Sequence, residues 1–380
     1  MRTSTDALAL QRGAASATAA GNRIASRRGE RAIAHWLLCC CGMIFLMVLL
    51  GGITRLTQSG LSITDWQPVV GIVPPLSHAA WVAEFDRYRL IPQYDALNRG
   101  MSLAEFKYIF MWEYVHRLWG RLIGVVYFVP LVWFIARRQV PRGLVWPLAG
   151  IFALGGAQGL LGWYMVESGL VHRIEVSQYR LVAHLALALA IYAATLWIAL
   201  GVLQMPSADG GEEPTSLWRR LAEALLVLVA LTICAGGFTA GLRAGLVYNT
   251  FPLMDGHFVP AGYAHLHPFW RNWFEDIAAV QFDHRLLAET TVGSVVLLWF
   301  AGRRAGLPRP ARRAQHALLA AVLLQFALGV STLLLVVPIP LAVAHQAGAV
   351  LLLTAAVVFR HMVRRPAVRG RLDRARAAAI

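Results

Sequence analysis

The chain has 380 residues, of which 58% are hydrophobic and 14% charged, and its formal net charge is +15. Soluble globular domains carry about 25% charged residues, so this composition excludes an ordinary soluble protein. A large positive charge also suits nucleic acid, but the distribution of the basic residues along the chain argues against that partner and favours a membrane surface.

Long uncharged apolar runs recur along the chain, and a run of about 18 residues is long enough to cross a bilayer. The sequence therefore predicts an all-α polytopic membrane protein with eight transmembrane helices. The predicted spans are residues 33–53, 115–136, 144–166, 179–203, 217–240, 283–302, 314–336 and 341–362.

The basic residues are concentrated on one side of these spans. With the N-terminus inside, the tails and inner connections carry 23 of the 35 basic residues but only 7 of the 20 acidic ones. This positive-inside pattern predicts that both termini are cytoplasmic and that the basic face meets anionic lipid headgroups. We interpret residues 1–32 as an N-terminal cytoplasmic tail rather than a transit peptide, residues 204–216 as a cytoplasmic linker, and residues 363–380 as a basic cytoplasmic tail.

Two predicted outer connections, residues 54–112 and 241–282, are long. Loops of this length are often functional, for example as lids over a site. The segment from Ser102 to Trp112 has the pattern of an outward extension of the second membrane helix, because Ser102 is a suitable N-cap and Glu105 stands at the N3 position of a capping box.

Four short motifs occur twice in the same order, which indicates an internal duplication. Because each copy contains four spans, the copies share one orientation, and we expect an axis along the membrane normal to relate them. The predicted domains are two four-helix halves, residues 33–203 and 217–362. The repeated motifs are Gly51-Gly52-Ile53-Thr54 with Gly236-Gly237-Phe238-Thr239, His116-Arg117-Leu118 with His284-Arg285-Leu286, Gln158-x-x-Leu161-Gly162 with Gln325-x-x-Leu328-Gly329, and Val182-Ala183-His184 with Val343-Ala344-His345.

Four of the twelve histidines open the second, fourth, sixth and eighth spans: His116, His184, His284 and His345. Since all four helices begin on the outer side, the imidazoles are expected at similar depth, two in each half. For one such residue the simplest interpretation is an interfacial histidine bonded to a carbonyl. Polar groups inside a membrane usually mark function, however, and four at equivalent positions favour a site.

Two neutral imidazoles on facing helices suit a metal that takes axial nitrogen ligands, and four-helix bundles commonly hold cofactors in this way. Heme fits best, since its flat apolar ring fills the space between helices and histidine is a frequent axial ligand of its iron. Cationic side chains beside the ligands are candidate partners of the heme propionates, or else contacts of lipid headgroups. They are Arg55, Arg117, Arg121 and Arg285.

The two halves differ three residues before the first histidine, where Glu113 precedes His116 and Gln281 precedes His284. A spacing of three places both groups on one helix face. A carboxylate there can act as a base or stabilise positive charge, whereas an amide can do neither. We infer a reactive heme site in the first half, with Glu113 as the candidate catalytic residue, and an electron-transfer or structural heme in the second. The alternative is that Glu113 only hydrogen-bonds a loop or an arginine.

At these residues the chain resembles the heme A synthase family. The resemblance covers residues 33–362, and its motifs are specific only in combination. They are Gly51-Gly52-Ile53-Thr54-Arg55-Leu56-Thr57 with Gly60-Leu61-Ser62, Asp65-Trp66-Gln67-Pro68, Glu113-Tyr114-Val115-His116-Arg117 with Gly120-Arg121, Asn249-Thr250-Phe251-Pro252-Leu253-Met254, and Gln281-Phe282-Asp283-His284-Arg285.

The resemblance implies oxidation of a ring methyl of heme O to the formyl group of heme A, for biogenesis of cytochrome c oxidase. It implies that His116 and His184 ligate the iron of the substrate heme, with Glu113 as the catalytic carboxylate. It also implies that His284 and His345 ligate the iron of a heme b that relays electrons. Iron held by both first-half histidines has no open position for oxygen, so either one ligand leaves or the oxidant acts elsewhere.

The resemblance also implies partners and a location. Heme O synthase, assembly factors of cytochrome c oxidase and an unidentified electron donor or acceptor are expected, together with membrane lipids and without nucleic acid. The outer loops contain no cysteine, which is similar to the alphaproteobacterial and mitochondrial branch. We expect the bacterial inner membrane, with the heme sites near the periplasmic side. Three other functions stay open: a di-heme b-type electron carrier without ring chemistry, a heme transporter, and an assembly scaffold for the oxidase.

Overall fold

The computed structural model describes residues 3–65, 70–170, 174–203 and 215–364, with side chains from Gly29 onward. Most of the predicted linker 204–216 and of the predicted C-terminal tail 363–380 lies outside the described residues, as do Trp66, Gln67 and Pro68. The helices are α1 (Thr3–Leu56), α2 (His78–Tyr88), α3 (Leu103–Ala136), α4 (Arg142–Leu170), α5 (Gln178–Val202), α6 (Ser216–Gly241), α7 (Asn272–Glu275), α8 (Ile277–Arg304), α9 (Arg309–Leu334) and α10 (Ile339–Met362).

Eight of these helices are long and apolar enough to cross a membrane: α3, α4, α5, α6, α8, α9, α10 and the part of α1 from Gly29. The prediction of an all-α protein with eight candidate spans is confirmed. The helix α1 begins at Thr3 and so includes most of the predicted N-terminal tail. The next largest differences from the predicted bounds are at the starts of α3 and α8, at Leu103 and Ile277. Both helices therefore continue beyond the apolar stretch that identified them.

Polar caps explain why α3 and α8 begin so early. At α3 the Ser102 hydroxyl accepts from the Glu105 backbone N–H at 3.3 Å, and the Glu105 carboxylate accepts from the Ser102 backbone N–H at 2.8 Å. The predicted capping box is thus confirmed. At α8 the Asp276 carboxylate accepts from the backbone N–H groups of Ala278 and Ala279 at 2.8 and 3.1 Å. Each cap satisfies backbone donors that would otherwise lack a partner at the helix start.

The helices of the two halves make the same pattern of contacts. α1 packs against α3 and α5 of the first half and against α10 of the second, while α6 packs against α8 and α10 of the second half and against α5 of the first. A single cluster of buried apolar side chains runs through both halves. The helices α1, α5, α6 and α10 therefore form the seam at which the halves meet.

The two long connections that the sequence predicts to be outer loops pack against the helices that follow them. In the first loop α2 packs on α3 through an apolar cluster in which Phe85 stacks on Phe106 with ring centroids 4.9 Å apart. In the second loop the fully buried Asn272 accepts from the backbone N–H of Leu266 at 2.8 Å and donates to the carbonyls of Leu266 and Phe269 at 2.9 and 2.7 Å. Each loop therefore has a packed or hydrogen-bonded structure of its own.

The second outer loop also contacts the first half. The hydroxyl of Tyr179 on α5 donates to Glu275 of α7 at 2.8 Å. Hydrogen bonds from Arg271, and then from Tyr179, hold the pKa of the Glu275 carboxyl below its usual range. The ionised carboxylate thus joins this loop to the start of a helix that carries one of the candidate histidines.

Candidate functional site

The four candidate histidines lie near one another as two pairs, one in each half. His116 on α3 and His184 on α5 are close enough to interact electrostatically, and so are His284 on α8 and His345 on α10. All four side chains are partly buried. The structure therefore brings together the residues that the repeat had placed at equivalent positions.

A glycine lies against each of these imidazoles. A Cβ at Gly51 would lie 3.2 Å from Nε2 of His116, and a Cβ at Gly162 would lie 2.9 Å from Cε1 of His184. A side chain at any of these positions would force the ring to move, so the glycines form a cradle for the imidazoles. In the second half the contacting pairs are Gly236 with His284 and Gly329 with His345, each with a Cβ-to-Cε1 distance of 2.9 Å.

The nitrogens of the rings suit axial ligation of an iron. Nδ1 of His284 lies 3.2 Å from the carbonyl oxygen of Thr232, which is the usual partner for the N–H of a metal-binding imidazole and leaves Nε2 for the metal. Nδ1 of His345 lies 3.1 Å from Nε2 of Gln325. Nδ1 of His184 is buried and has no hydrogen-bond partner among the described residues. The glycine cradle and the carbonyl partner of His284 fit a heme held between two histidines.

We expect Gly236→Ala to weaken heme binding at His284 by about 10- to 100-fold, because the added Cβ displaces the ligand ring and changes of this kind around a metal ligand have effects of that size. Titration of heme into heme-depleted protein, followed by Soret absorbance, measures the change. Gly293→Ala on α8 is the matched control, since its Cβ would meet no described atom within 4 Å. Equal affinities of the two variants would contradict the cradle.

The candidate catalytic carboxylate is buried and fully engaged. Glu113 is 2% exposed. Its Oε2 accepts from the Ser62 hydroxyl at 2.7 Å and from the Ile63 backbone N–H at 2.8 Å, and its Oε1 accepts from Nε and Nη2 of Arg117 at 3.1 and 2.6 Å. Glu113 therefore does contact both a loop and an arginine, which is the alternative that the sequence had left open.

The equivalent residues of the second half contact the equivalent loop. Gln281, also 2% exposed, donates to the carbonyl oxygen of Tyr248 at 3.0 Å, and Arg285 donates to the carbonyls of Tyr248 and Thr250, both at 2.8 Å. In both halves the residue three positions before the histidine and the arginine after it thus hold the outer loop. The direction of the bond differs, because the carboxylate accepts from its loop whereas the amide donates to its loop.

These contacts bear on the four candidate propionate partners. Arg117 donates to the Ile63 carbonyl at 3.0 Å in addition to Glu113, so Arg117 and Arg285 both fix outer loops. Arg55 is partly buried and interacts electrostatically with Glu175 and Arg243. The propionate assignments of all four, including Arg121, stay predictions.

Sequence reasoning missed a polar cluster at the outer end of the seam. Glu175 forms an ion pair with Arg243, and the Gln58 amide, with its oxygen turned toward Arg243, accepts from Nη1 at 3.2 Å. Gln58 and Arg243 occupy equivalent repeat positions, seven residues after Gly51 and Gly236, and both have left-handed backbones with φ of 57° and 52°. Alignment of the repeats could have shown this equivalence, but not that the two residues touch.

The second glycine of each repeated pair faces the other half. A Cβ at Gly237 would lie 2.9 Å from Cγ2 of Val182 on α5, and Gly52 contacts Gln346, the residue after His345 on α10. Gln346 also donates to the Val48 carbonyl of α1 at 2.8 Å. Each glycine pair therefore makes room for its own histidine with the first residue and for a neighbouring helix of the other half with the second.

The sequence of residues 34–357 matches the COX15-CtaA family model, which is described as cytochrome oxidase assembly protein. The chain belongs to this family. It is 52% identical over 336 residues to the heme A synthase of Nitrosospira multiformis, covering 88% of this chain and 94% of that protein. The family predicted from the sequence motifs is thereby confirmed.

Other members of the COX15-CtaA family are similar over the same length. The chain is 52% identical over 342 residues to the heme A synthase of Rhodospirillum centenum, covering 90% of this chain and 91% of that protein. It is 46% identical over 347 residues to the heme A synthase COX15 of Mus musculus, covering 90% of this chain and 84% of that protein. The region that the family model matches, residues 34–357, spans the positions of all four paired histidines.

Proposed function

We propose that this family member is a heme A synthase, an oxidoreductase that converts a ring methyl of heme O into the formyl group of heme A for cytochrome c oxidase. The observation that carries the proposal is about half identity, over nine-tenths of the chain, to proteins of that name. Two histidine pairs, each cradled by glycines, support it because the reaction needs a place to hold a heme.

The substrate heme binds between His116 and His184, and a resident heme b binds between His284 and His345. The support for this division is the difference between the halves, since Glu113 stands three residues before the first histidine of the first pair, whereas Gln281 stands at that position in the second. When bound, heme b supplies an iron that accepts and donates single electrons. The paired imidazoles would hold the iron of each heme.

Glu113 acts at the substrate site as the group that stabilises developing positive charge or deprotonates water. Conversion of the methyl to the formyl group takes one oxygen atom from water, releases four protons and passes four electrons to the unidentified electron acceptor, so an anionic group at the site lowers the barrier. The hydrogen bonds from Ser62, Ile63 and Arg117 fix the carboxylate in one position beside His116. Gln281 has the same shape but no charge, which supports a non-reactive heme in the second half.

Supply of heme O tests the proposal directly. The chain is expressed with a heme O synthase in a bacterium that has no heme A synthase of its own, and the extracted pigments are separated by chromatography. We expect heme A only in cells that carry the chain. Unchanged heme O would favour a di-heme electron carrier or an oxidase scaffold, and a shift of heme between compartments without new pigment would favour a transporter.

We also propose the inner membrane, with both termini cytoplasmic and the histidine pairs near the periplasmic side. The distribution of basic residues supports this orientation. The contact between Gln58 and Arg243 supports the like orientation of the two halves, since equivalent residues that touch lie beside the axis relating them.

Labelling from outside the cell tests the orientation. In a cysteine-free background, we expect an impermeant maleimide to label Phe258→Cys in intact spheroplasts, because this residue is 73% exposed in the second outer loop. Gln139→Cys, in the exposed turn between α3 and α4, is expected to react only after the membrane is opened. The reverse result would invert the topology.

A further inference from the structure

The first half has a gap between α3 and α4 that is lined by glycines. Phe128 of α3 and Phe152 of α4 stack with ring centroids 5.1 Å apart, which shows the faces that the helices present to each other. One turn outward from this stack lie Gly124 on α3 and Gly155 on α4, since residues three or four apart share a helix face. Gly156 and Gly159 continue the same side of α4. At all four glycines a Cβ would meet no described atom within 4 Å.

In the second half the same positions carry apolar side chains. Val292 stands eight residues after His284, as Gly124 stands eight after His116. Val292 packs against the apolar core. Counted from Gln158 and Gln325, the equivalents of Gly155, Gly156 and Gly159 are Val322, Leu323 and Phe326.

Two of these second-half side chains pack against their surroundings, whereas Leu323 is 49% exposed. Val322 is 2% exposed, and Phe326 contacts Phe251 of the outer loop with ring centroids 5.9 Å apart. The packing of the spans differs accordingly, because only 11% of the most apolar part of both α3 and α4 is buried, against 28% in α8 and 17% in α9. The gap is therefore specific to the first half.

The gap is continuous with the first histidine pair. Gly162, one turn outward from Gly159 on α4, is the glycine that lies against His184. Nδ1 of that histidine is the buried nitrogen without a partner among the described residues. From Phe152 to Gly159 the gap extends about 10 Å along the helix axis, at a rise of about 1.5 Å per residue. It begins at the heme-ligand position and runs inward through the apolar part of the membrane.

We propose that this gap binds the isoprenoid side chain of heme O, and that Gly124 and Gly155 select heme O over heme b. The inference rests on the proposed function, which gives the two halves different hemes. Heme O carries a hydroxyethylfarnesyl chain where heme b carries a vinyl group, so its site needs an additional apolar groove. Burial of that chain against the helices favours binding in proportion to the apolar area covered. In the second half Val292 and Val322 occupy the equivalent positions.

The test introduces into the first half the side chains found at the equivalent positions of the second half. The double variant Gly124→Val with Gly155→Val places valine where the second half has Val292 and Val322. The control Gly150→Val adds the same side chain to another face of α4, where a Cβ would also meet no described atom within 4 Å. Purified protein that retains heme b in the second half is titrated with heme O and, separately, with heme b, and difference Soret spectra give each Kd for the first half. We expect the Kd for heme O to rise about tenfold or more in the double variant, with the Kd for heme b and both values of the control unchanged.

Two results would overturn the proposal. The first is an unchanged Kd for both hemes in the double variant, as expected if lipid acyl chains occupy the gap. The second is an equal loss of affinity for both hemes. A wild-type protein that binds no heme O would instead refute the proposed function. Loss of the resident heme b would mark a folding defect in the double variant. In that case the variant Gly124→Ala with Gly155→Ala is used instead. The proposal then requires a smaller rise in the Kd for heme O, with the Kd for heme b unchanged.

Discussion

Glu113→Gln is expected to lower heme A formation by about 100-fold or more while the protein keeps its heme b spectrum. The substitution preserves shape and removes only the charge, and removal of a positioned acid or base costs about 100- to 10,000-fold. Pigment extraction measures heme A, and the Soret spectrum of the purified variant reports the second-half heme. Full activity of Glu113→Gln would exclude a catalytic role and favour an electron carrier.

The structure supplies a control that separates catalysis from loop anchoring. Ser62→Ala removes one hydrogen bond to Glu113, of 2.7 Å, and leaves the carboxylate and its Arg117 partner in place. If Glu113 acts by its charge, Ser62→Ala is expected to retain most activity. If Glu113 serves only to hold the outer loop, the two variants should be similarly impaired, and proteolysis of the loop after Ser62 should accelerate in both.

His284→Ala and His345→Ala are each expected to remove the heme b absorbance of the purified protein. Loss of one of two axial imidazoles removes a covalent bond to the iron and leaves the ring without its fixed orientation. Optical spectra of the oxidised and dithionite-reduced proteins check the result. Because the two histidines belong to one pair, we expect the double variant to be no worse than either single variant.

His316→Ala is the matched control for these variants. Its Nδ1 accepts from Trp299 Nε1 at 2.9 Å between α8 and α9, and its position near the start of α9 is remote from both pairs. We expect its spectrum to equal that of the wild type. An unchanged Soret band in both His284→Ala and His345→Ala would refute the assignment of this pair as heme ligands.

Much of the architecture could be predicted because it depends on local patterns. Apolar length identified the eight spans, since no backbone group can go unsatisfied in lipid and each crossing must be helical. The Ser102 and Glu105 cap could be recognised from residues three apart. The repeated motifs also indicated one histidine pair in each half, and His116 lies near His184 as His284 lies near His345.

The environment of the site depended on contacts between residues far apart in sequence, and no local pattern encodes those. The difference between Glu113 and Gln281 was visible in the sequence, but the loop atoms that each one meets were not. Gln58 and Arg243 could be aligned as equivalents, whereas their contact across the seam requires both halves to be in place. The open glycine gap likewise follows from how far α4 stands from α3, since the space beside a glycine is set by the neighbouring helix rather than by the glycine itself.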